Sequence, residues 1–179
     1  MYNKFKISFL LGLVILFKSS ITFSQMDPAK ALKMKMKGMY LYQFAKNVYW
    51  PSDYNTGDFS VGIFGSKDLF NLLNTTFKDK VTGSQKIVWD FYETASDIKD
   101  CHLLFVCKEE TNMISKVTKL IKQKTLLVTE LADISNSSSS MINLLYVNSR
   151  LRYQLNKSES EKNNFKFKQK FADLAYSKI

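Results

Sequence analysis

The sequence predicts an α/β fold: a single three-layer domain with a mostly parallel sheet flanked by helices and a C-terminal antiparallel hairpin. Short runs of β-branched and aromatic residues alternate with stretches of helical periodicity, which is typical of parallel strands joined by helices. The runs CHLLFV and TLLV are almost continuously apolar, as expected for strands buried on both faces. Near the end of the chain, MINLLYVN and RLRYQLN are joined through Asn148-Ser149, which indicates a hairpin.

The first predicted element is a helix that runs through YLYQFAKNVYW and ends near Trp50, because a residue before proline avoids the helical conformation. The aromatic residues of this stretch outside the buried face named below cannot all face the core. Tyr49 and Trp50 are therefore candidates for a contact surface. The alternative for Trp50 is that its ring folds under the helix end. Apolar residues at helical spacing predict the buried face: Leu41, Phe44, Ala45 and Val48.

Strands and helices then alternate along the chain. FSVGIF predicts a strand, and Ser66 is placed to cap the helix that follows. The strands KIVWDFY, CHLLFVC and TLLVT come next, and Thr111 is placed to cap the helix between the last two. After the hairpin we expect a short helix from Ser158. A last helix is predicted to cover the remaining face with Phe171, Leu174 and Ala175.

Residues 1–25 have the zones of a secretory signal: basic residues, an apolar run and small polar residues. A retained membrane anchor is the alternative. It would need about 20 apolar residues, and Lys18 interrupts this run early. We therefore expect cleavage near Gln25 and a soluble exported domain over residues 26–179.

The chain is basic, with a formal net charge of +10 from 26 basic and 16 acidic residues. Loss of the three lysines of the signal peptide leaves 23 basic against 16 acidic residues, a net charge of +7. The lysines are scattered and no arginine-rich tract occurs. This pattern predicts a solvated cationic surface and no nucleic-acid site.

The cysteines, Cys101 and Cys107, bracket one predicted strand. Six extended residues would hold their Cα atoms roughly 20 Å apart, whereas a disulfide needs about 4.4–6.8 Å. We therefore expect two buried thiols, with an intermolecular bridge as the alternative.

Residues for catalysis are scarce. His102 is the only histidine and lies in an apolar strand, where a packed, hydrogen-bonded imidazole is expected. One histidine and two cysteines along a strand do not enclose a metal, and no nucleophile elbow, dinucleotide fingerprint or P-loop occurs. The serine run at residues 135–140 lacks the glycines and lysine of a phosphate loop and is interpreted as a flexible connector. The sequence predicts a binding protein without catalytic residues, metal or cofactor.

Several stretches in this order resemble the YfiR-like family of small exported bacterial proteins: YLYQFAKNVYWP, FSVGIFGSKDLFNLL, DCHLLFV, LLVTELADI, MINLLYVNSRLRYQLN and FKFKQKFADLA. The resemblance covers most of the chain after the signal peptide and implies an α/β periplasmic domain without catalysis. Its signature residues here are Pro51, Cys101, His102, Asn143 and Asn156.

The best-known members of that family bind the periplasmic sensory part of an inner-membrane diguanylate cyclase and hold it inactive, which lowers cyclic-di-GMP and biofilm formation. Others resemble accessory proteins of membrane sensor kinases. The chain departs from the family pattern at Tyr49, where relatives have an acid, and at Ser139 and Ser140, where they have glycines. It also lacks the further cysteine that some relatives pair with the position of Cys101.

The resemblance and the residues together predict a periplasmic regulatory protein that docks, as a homodimer, on the periplasmic domain of a membrane-bound signalling enzyme. The residues expected to contact this partner are Tyr49, Trp50, Arg152 and Gln154. The alternative function is a periplasmic small-molecule binding module, with its ligand at the carboxyl ends of the parallel strands near Gly65-Ser66 and Glu130.

Overall fold

A computed structural model describes residues 26–121, 124–133 and 139–179, apart from the side chain of Asp53. The helices of these residues are α1 (Pro28–Asn47), α2 (Lys67–Thr76), α3 (Ile114–Leu120), α4 (Lys157–Lys162) and α5 (Gln169–Asp173). The strands are β1 (Val48–Tyr49), β2 (Phe59–Phe64), β3 (Val81–Thr82), β4 (Gln85–Tyr92), β5 (Leu103–Val106), β6 (Leu126–Thr129), β7 (Ile142–Val147), β8 (Arg150–Leu155), β9 (Lys166–Phe167) and β10 (Ser177–Lys178).

The centre of the domain is an eight-stranded sheet with the order β10-β8-β7-β6-β5-β2-β4-β3. The five inner strands from β7 to β4 are mutually parallel, whereas β8 runs antiparallel to β7 and β3 runs antiparallel to β4. The edge strand β10 is parallel to β8, and β1 pairs with β9 in a separate antiparallel ribbon. The predicted α/β fold with a mostly parallel sheet is confirmed.

The predicted hairpin joins β7 to β8 through Asn148 and Ser149. Both residues have a left-handed backbone, with φ of 47° and 61°. A two-residue turn with positive φ at both positions matches the twist of the flanking strands, so it fixes the pairing of Val147 with Arg150.

One face of the sheet carries the larger core, beneath α1 and α2. The residues predicted to form the buried face of the first helix are all buried. A Cβ atom added at Gly38 of α1 would collide with Leu73 and Phe77, so this glycine lets the two helices approach closely.

The opposite face carries a smaller apolar core. Val117 of α3 packs there against Leu104, Val106 and Leu127, which project from β5 and β6. Farther along the same face, on β7 and β8, the side chains become polar, and Asn143 stands opposite Gln154. The sheet is therefore covered on both faces, as its apolar strands predicted.

The helix between β5 and β6 begins later than the sequence predicted. Thr111 lies in a 3₁₀ turn, Lys108–Met113, and its hydroxyl donates to the carbonyl of Lys108. It therefore does not cap a helix, and α3 begins at Ile114. The expectation for Ser66 is confirmed, since its hydroxyl accepts from the N–H of Leu69.

Two other predicted helices end earlier than expected. The first ends at Asn47, because Val48 and Tyr49 extend and pair with β9. The last ends at Asp173, so Leu174 lies beyond it and is 67% exposed. The prediction that Leu174 covers the sheet is wrong.

The predicted signal peptide at residues 1–25 lies outside the described residues, and so do residues 134–138, which include the first four positions of the serine run. Ser140, at the end of that run, is fully buried and hydrogen-bonded to Thr129. In the described part of the chain, every helix lacks either the length or the apolar composition that is needed to span a membrane.

Candidate functional site

Trp50 is packed beneath the end of α1. Its indole N–H donates to the carbonyl of Ala45 at 2.8 Å. The ring meets Phe59 edge to face, with centroids 4.9 Å apart, and meets Phe165 in the same way at 5.7 Å. The half-buried ring is thus a packing element, which corresponds to the alternative that the sequence left open for it.

His102 lies beside Trp50 and is held by hydrogen bonds. The N–H of Ser60 donates to Nδ1 at 3.1 Å, and Nε2 lies 3.2 Å from the carbonyl of Tyr54. This arrangement fits a neutral ring with its proton on Nε2, and burial lowers the pKa of the imidazole. The ring of Phe59 stacks on it at 4.5 Å. The prediction of a packed, hydrogen-bonded imidazole is confirmed.

Gln154 is only 5% exposed, because Asp133 beyond β6 and Ser177 of β10 lie against its side chain. Its amide donates to Asp133 at 2.6 Å and to Ser177 at 3.0 Å, and its carbonyl oxygen accepts from Asn143 at 3.0 Å. Asn143 in turn accepts from the N–H of Leu131 at 2.7 Å. The expectation that Gln154 is presented to a partner is corrected: it belongs to a buried polar network.

The other signature residues also have structural partners. Asn156 caps α4 by accepting from the N–H of Glu159 at 3.0 Å, and Pro51 opens the short turn that carries Tyr54. Cys101 and Cys107 are buried free thiols, as expected. Burial raises the pKa of each thiol to about 12, so neither provides a thiolate nucleophile near neutral pH.

Two of the predicted contact residues are exposed, on different elements. Tyr49 is 58% exposed on the β1–β9 ribbon. Arg152 is exposed on β8. It lines a groove of about 590 Å³, which we call the hairpin groove and which consists of Val147, Asn148, Arg150, Arg152, Leu174, Ala175 and Tyr176.

The hairpin groove contains residues that the sequence did not single out. Leu174 and Tyr176 leave large side chains 67% and 55% exposed beside the arginines. The helical spacing of Leu174 after Phe171 suggested a buried position, and only the early end of α5 shows otherwise. No local signal in the sequence identifies this groove.

A larger concavity of about 1000 Å³ lies at the carboxyl ends of β2, β5 and β6, where the sequence placed its alternative ligand site. We call it the carboxyl-end cleft. Lys30, Lys33, Met34 and Lys37 of α1 form one wall, and Ser66 and Leu69 of α2 form part of another. The remaining lining residues are Cys107, Lys108, Glu109, Thr111, Glu130, Leu131, Ala132, Leu144, Leu145 and Tyr146.

The chemistry of these two concavities suits binding. Within the described part of the chain, no three histidine, cysteine, aspartate or glutamate residues cluster as metal ligands. In the carboxyl-end cleft the carboxylate of Glu130 is paired with Lys37 at 2.7 Å, and the pair is largely buried. The cleft therefore presents lysines, the carboxylate of Glu109 and apolar groups, and the hairpin groove presents arginines and apolar groups.

Comparisons with known proteins identify the family. No curated protein matches the sequence significantly. A solved structure from Bacteroides fragilis, provisionally named an NADP oxidoreductase, matches at 8% identity with a TM-score of 0.38. The match covers 68% of this chain and 60% of that one, so this chain spans less than two thirds of its length. The family model described as YfiR/HmsC-like matches residues 34–176, so this chain belongs to the YfiR/HmsC-like family.

Proposed function

We propose that this protein docks on the periplasmic sensory domain of an inner-membrane signalling enzyme, a diguanylate cyclase or a sensor kinase, and represses or modulates it. Its family is one of periplasmic regulators, which supports a regulatory role without catalysis. A bound regulator shifts an enzyme only by binding one conformation better than another. A preference of about 3 kcal/mol for the inactive form changes the ratio of the two forms roughly 150-fold. With a cyclase as partner, cyclic-di-GMP and biofilm formation fall.

The observation that carries this proposal is the hairpin groove. Leu174 and Tyr176 are large side chains that stay exposed beside Arg150 and Arg152. Tyrosine and arginine are enriched among the residues that dominate binding energy at protein interfaces. A groove of this composition fits the apolar core and charged rim of a docking surface.

Charge indicates which partner suits the groove. Two arginines line it, and none of the described residues that line it is acidic. A partner surface with carboxylates around an apolar projection would complement it, and charge complementarity of this kind favours fast association. A second copy docked through the same groove would bring arginine against arginine. A homodimer of this protein is therefore expected to use another surface.

The test is a binding measurement between the purified protein and the periplasmic domain of a membrane cyclase or kinase from the same organism. Arg152→Glu and Tyr176→Ala should each weaken binding by about tenfold or more, as expected for central contacts. Leu120→Ala is the matched control, because Leu120 is 48% exposed on α3 and lies outside the groove. Unchanged affinity of both folded groove variants would contradict docking through this groove.

The alternative, a periplasmic small-molecule binding module, is favoured by one observation. The carboxyl-end cleft lies where ligands bind in open α/β sheets, and its volume of about 1000 Å³ suits a small molecule. A thermal-shift screen against a panel of metabolites tests it: a strong stabilising compound supports this function, and a panel without one counts against it.

A further inference from the structure

The carboxyl-end cleft lies between two neighbouring strands whose following helices pack on opposite faces of the sheet. Strands β2 and β5 are adjacent and parallel. The chain leaving β2 enters α2, whose Leu69 and Leu73 join the larger core. The chain leaving β5 leads to α3, whose Val117 joins the smaller core on the opposite face. Connections that leave neighbouring strands toward opposite faces open a crevice at their carboxyl ends, which is the usual ligand position in such sheets.

One wall of this crevice is a stripe of lysines on α1. Lys30, Lys33 and Lys37 follow a spacing of three and four residues, so they share one side of the helix, and all three line the cleft. Lys108 faces them from the chain beyond β5. The lining also includes the carboxylates of Glu109 and Glu130, so four cations face two anions.

Two of these lysines are already engaged. Lys30 pairs with Asp68 at 2.8 Å, and Lys37 pairs with Glu130 at 2.7 Å. Among the described residues, no ion pair engages Lys33, whose ammonium lies 5.8 Å from the centre of the Tyr146 ring. Lys108 likewise has no ion pair in the described part of the chain. Within the described residues, two cations of this concave site thus have no ion-pair partner and can meet an anion.

Apolar groups line the cleft beside the lysines, the carboxylates and the hydroxyls of Ser66 and Thr111. Leu131 is partly exposed there, and the ring of Tyr146 is exposed to solvent beside Lys33, whereas Leu144 and Leu145 are buried beneath them. An inorganic anion would leave the side chains of Leu131 and Tyr146 uncovered. A ligand that also carries a hydrocarbon or aromatic part would cover this apolar lining and gain from its burial.

We propose that the carboxyl-end cleft binds a small organic anion, a phosphate ester or a carboxylate, with its charged group on Lys33 and Lys108 and its apolar part against Tyr146 and Leu131. The proposal rests on the second candidate function above and names its ligand class. Charge-assisted hydrogen bonds from lysine hold the anionic group. The Lys37–Glu130 pair remains intact, so the charge of Glu130 is compensated by Lys37.

The test is isothermal titration calorimetry at low ionic strength, with phenyl phosphate and benzoate as the organic anions. Inorganic phosphate and benzyl alcohol are the separate anionic and apolar probes. We expect saturable binding of at least one organic anion, weaker binding of inorganic phosphate and no binding of benzyl alcohol. Lys33→Ala and Lys108→Ala should each weaken the binding about tenfold, the effect of one lost charge-assisted contact.

Lys35→Ala is the matched control, because Lys35 is an exposed lysine of the same helix that does not line the cleft. It should bind as the wild type does. Absence of saturable binding by both organic anions overturns the proposal, as does equal binding by Lys33→Ala and Lys35→Ala. Inorganic phosphate that binds as tightly as phenyl phosphate would overturn the role of the apolar lining. None of these results bears on docking, which is measured with Arg152 and Tyr176 variants.

Discussion

Replacing Trp50 by alanine should lower the free energy of unfolding by about 2–4 kcal/mol. Truncation of a fully buried tryptophan costs about 3–5 kcal/mol. The loss in free energy of unfolding is smaller for Trp50 because its ring is half exposed. Loss of the indole hydrogen bond to Ala45 contributes about 1 kcal/mol of the total. Trp50→Phe keeps a ring against Phe59 and Phe165 and should cost about half as much.

The assay is urea unfolding followed by far-ultraviolet circular dichroism, which does not depend on the tryptophan signal that the substitution removes. Tyr49→Ala is the control: its side chain is 58% exposed, and substitution of an exposed residue costs within about 0.5 kcal/mol. If Trp50→Ala unfolds within about 0.5 kcal/mol of the wild type, the ring does not stabilise the fold as described. Trp50 would then return as a candidate contact residue.

Other predictions concern buried groups. Gln154→Ala should lower the free energy of unfolding by about 2–3 kcal/mol, because the amide of Asn143 loses its acceptor; a loss under about 0.5 kcal/mol in urea titration would contradict this. Burial lowers the pKa of His102 below 6.5. As the pH falls, the imidazole of the unfolded chain is therefore protonated at a higher pH than that of the folded protein, and stability should fall below about pH 7. His102→Gln should flatten that slope in unfolding curves at several pH values, and an unchanged slope would exclude His102 as its source. Cys101 and Cys107, each with a pKa of about 12, should react with a thiol reagent only after unfolding, and rapid labelling of the folded protein would refute their burial.

The order of strands and helices could be predicted because it depends on local patterns. The β-branched run at Phe59–Phe64 lies within one strand, and the helical spacing of Leu69 and Leu73 lies within one helix. Both elements form as predicted. The hairpin could be predicted because two polar turn residues separate the apolar runs and Asn148 tolerates the left-handed backbone that its turn requires.

The outer face of β8 could not be predicted in the same way. Side chains alternate between the two faces of a strand, so Gln154 lies on the face opposite the buried Tyr153, and the sequence expected a partner to contact it there. The edge strand β10 and the chain around Asp133 cover that position. These segments are distant in sequence, so no pattern within β8 indicates that they return to it. The exposure of Leu174 and Tyr176 has the same origin, since it depends on where α5 ends against the sheet.

The most direct test of regulation by docking is the activity of a purified membrane cyclase or kinase from the same organism, reconstituted in vesicles with its periplasmic domain accessible. Added wild-type protein should change the rate of product formation in a saturable way. Arg152→Glu, which alters only an exposed side chain of the hairpin groove, should shift the half-maximal concentration upward about tenfold or more. An activity that wild-type protein leaves unchanged at saturation, or that the wild type and Arg152→Glu change equally, would contradict regulation through this groove.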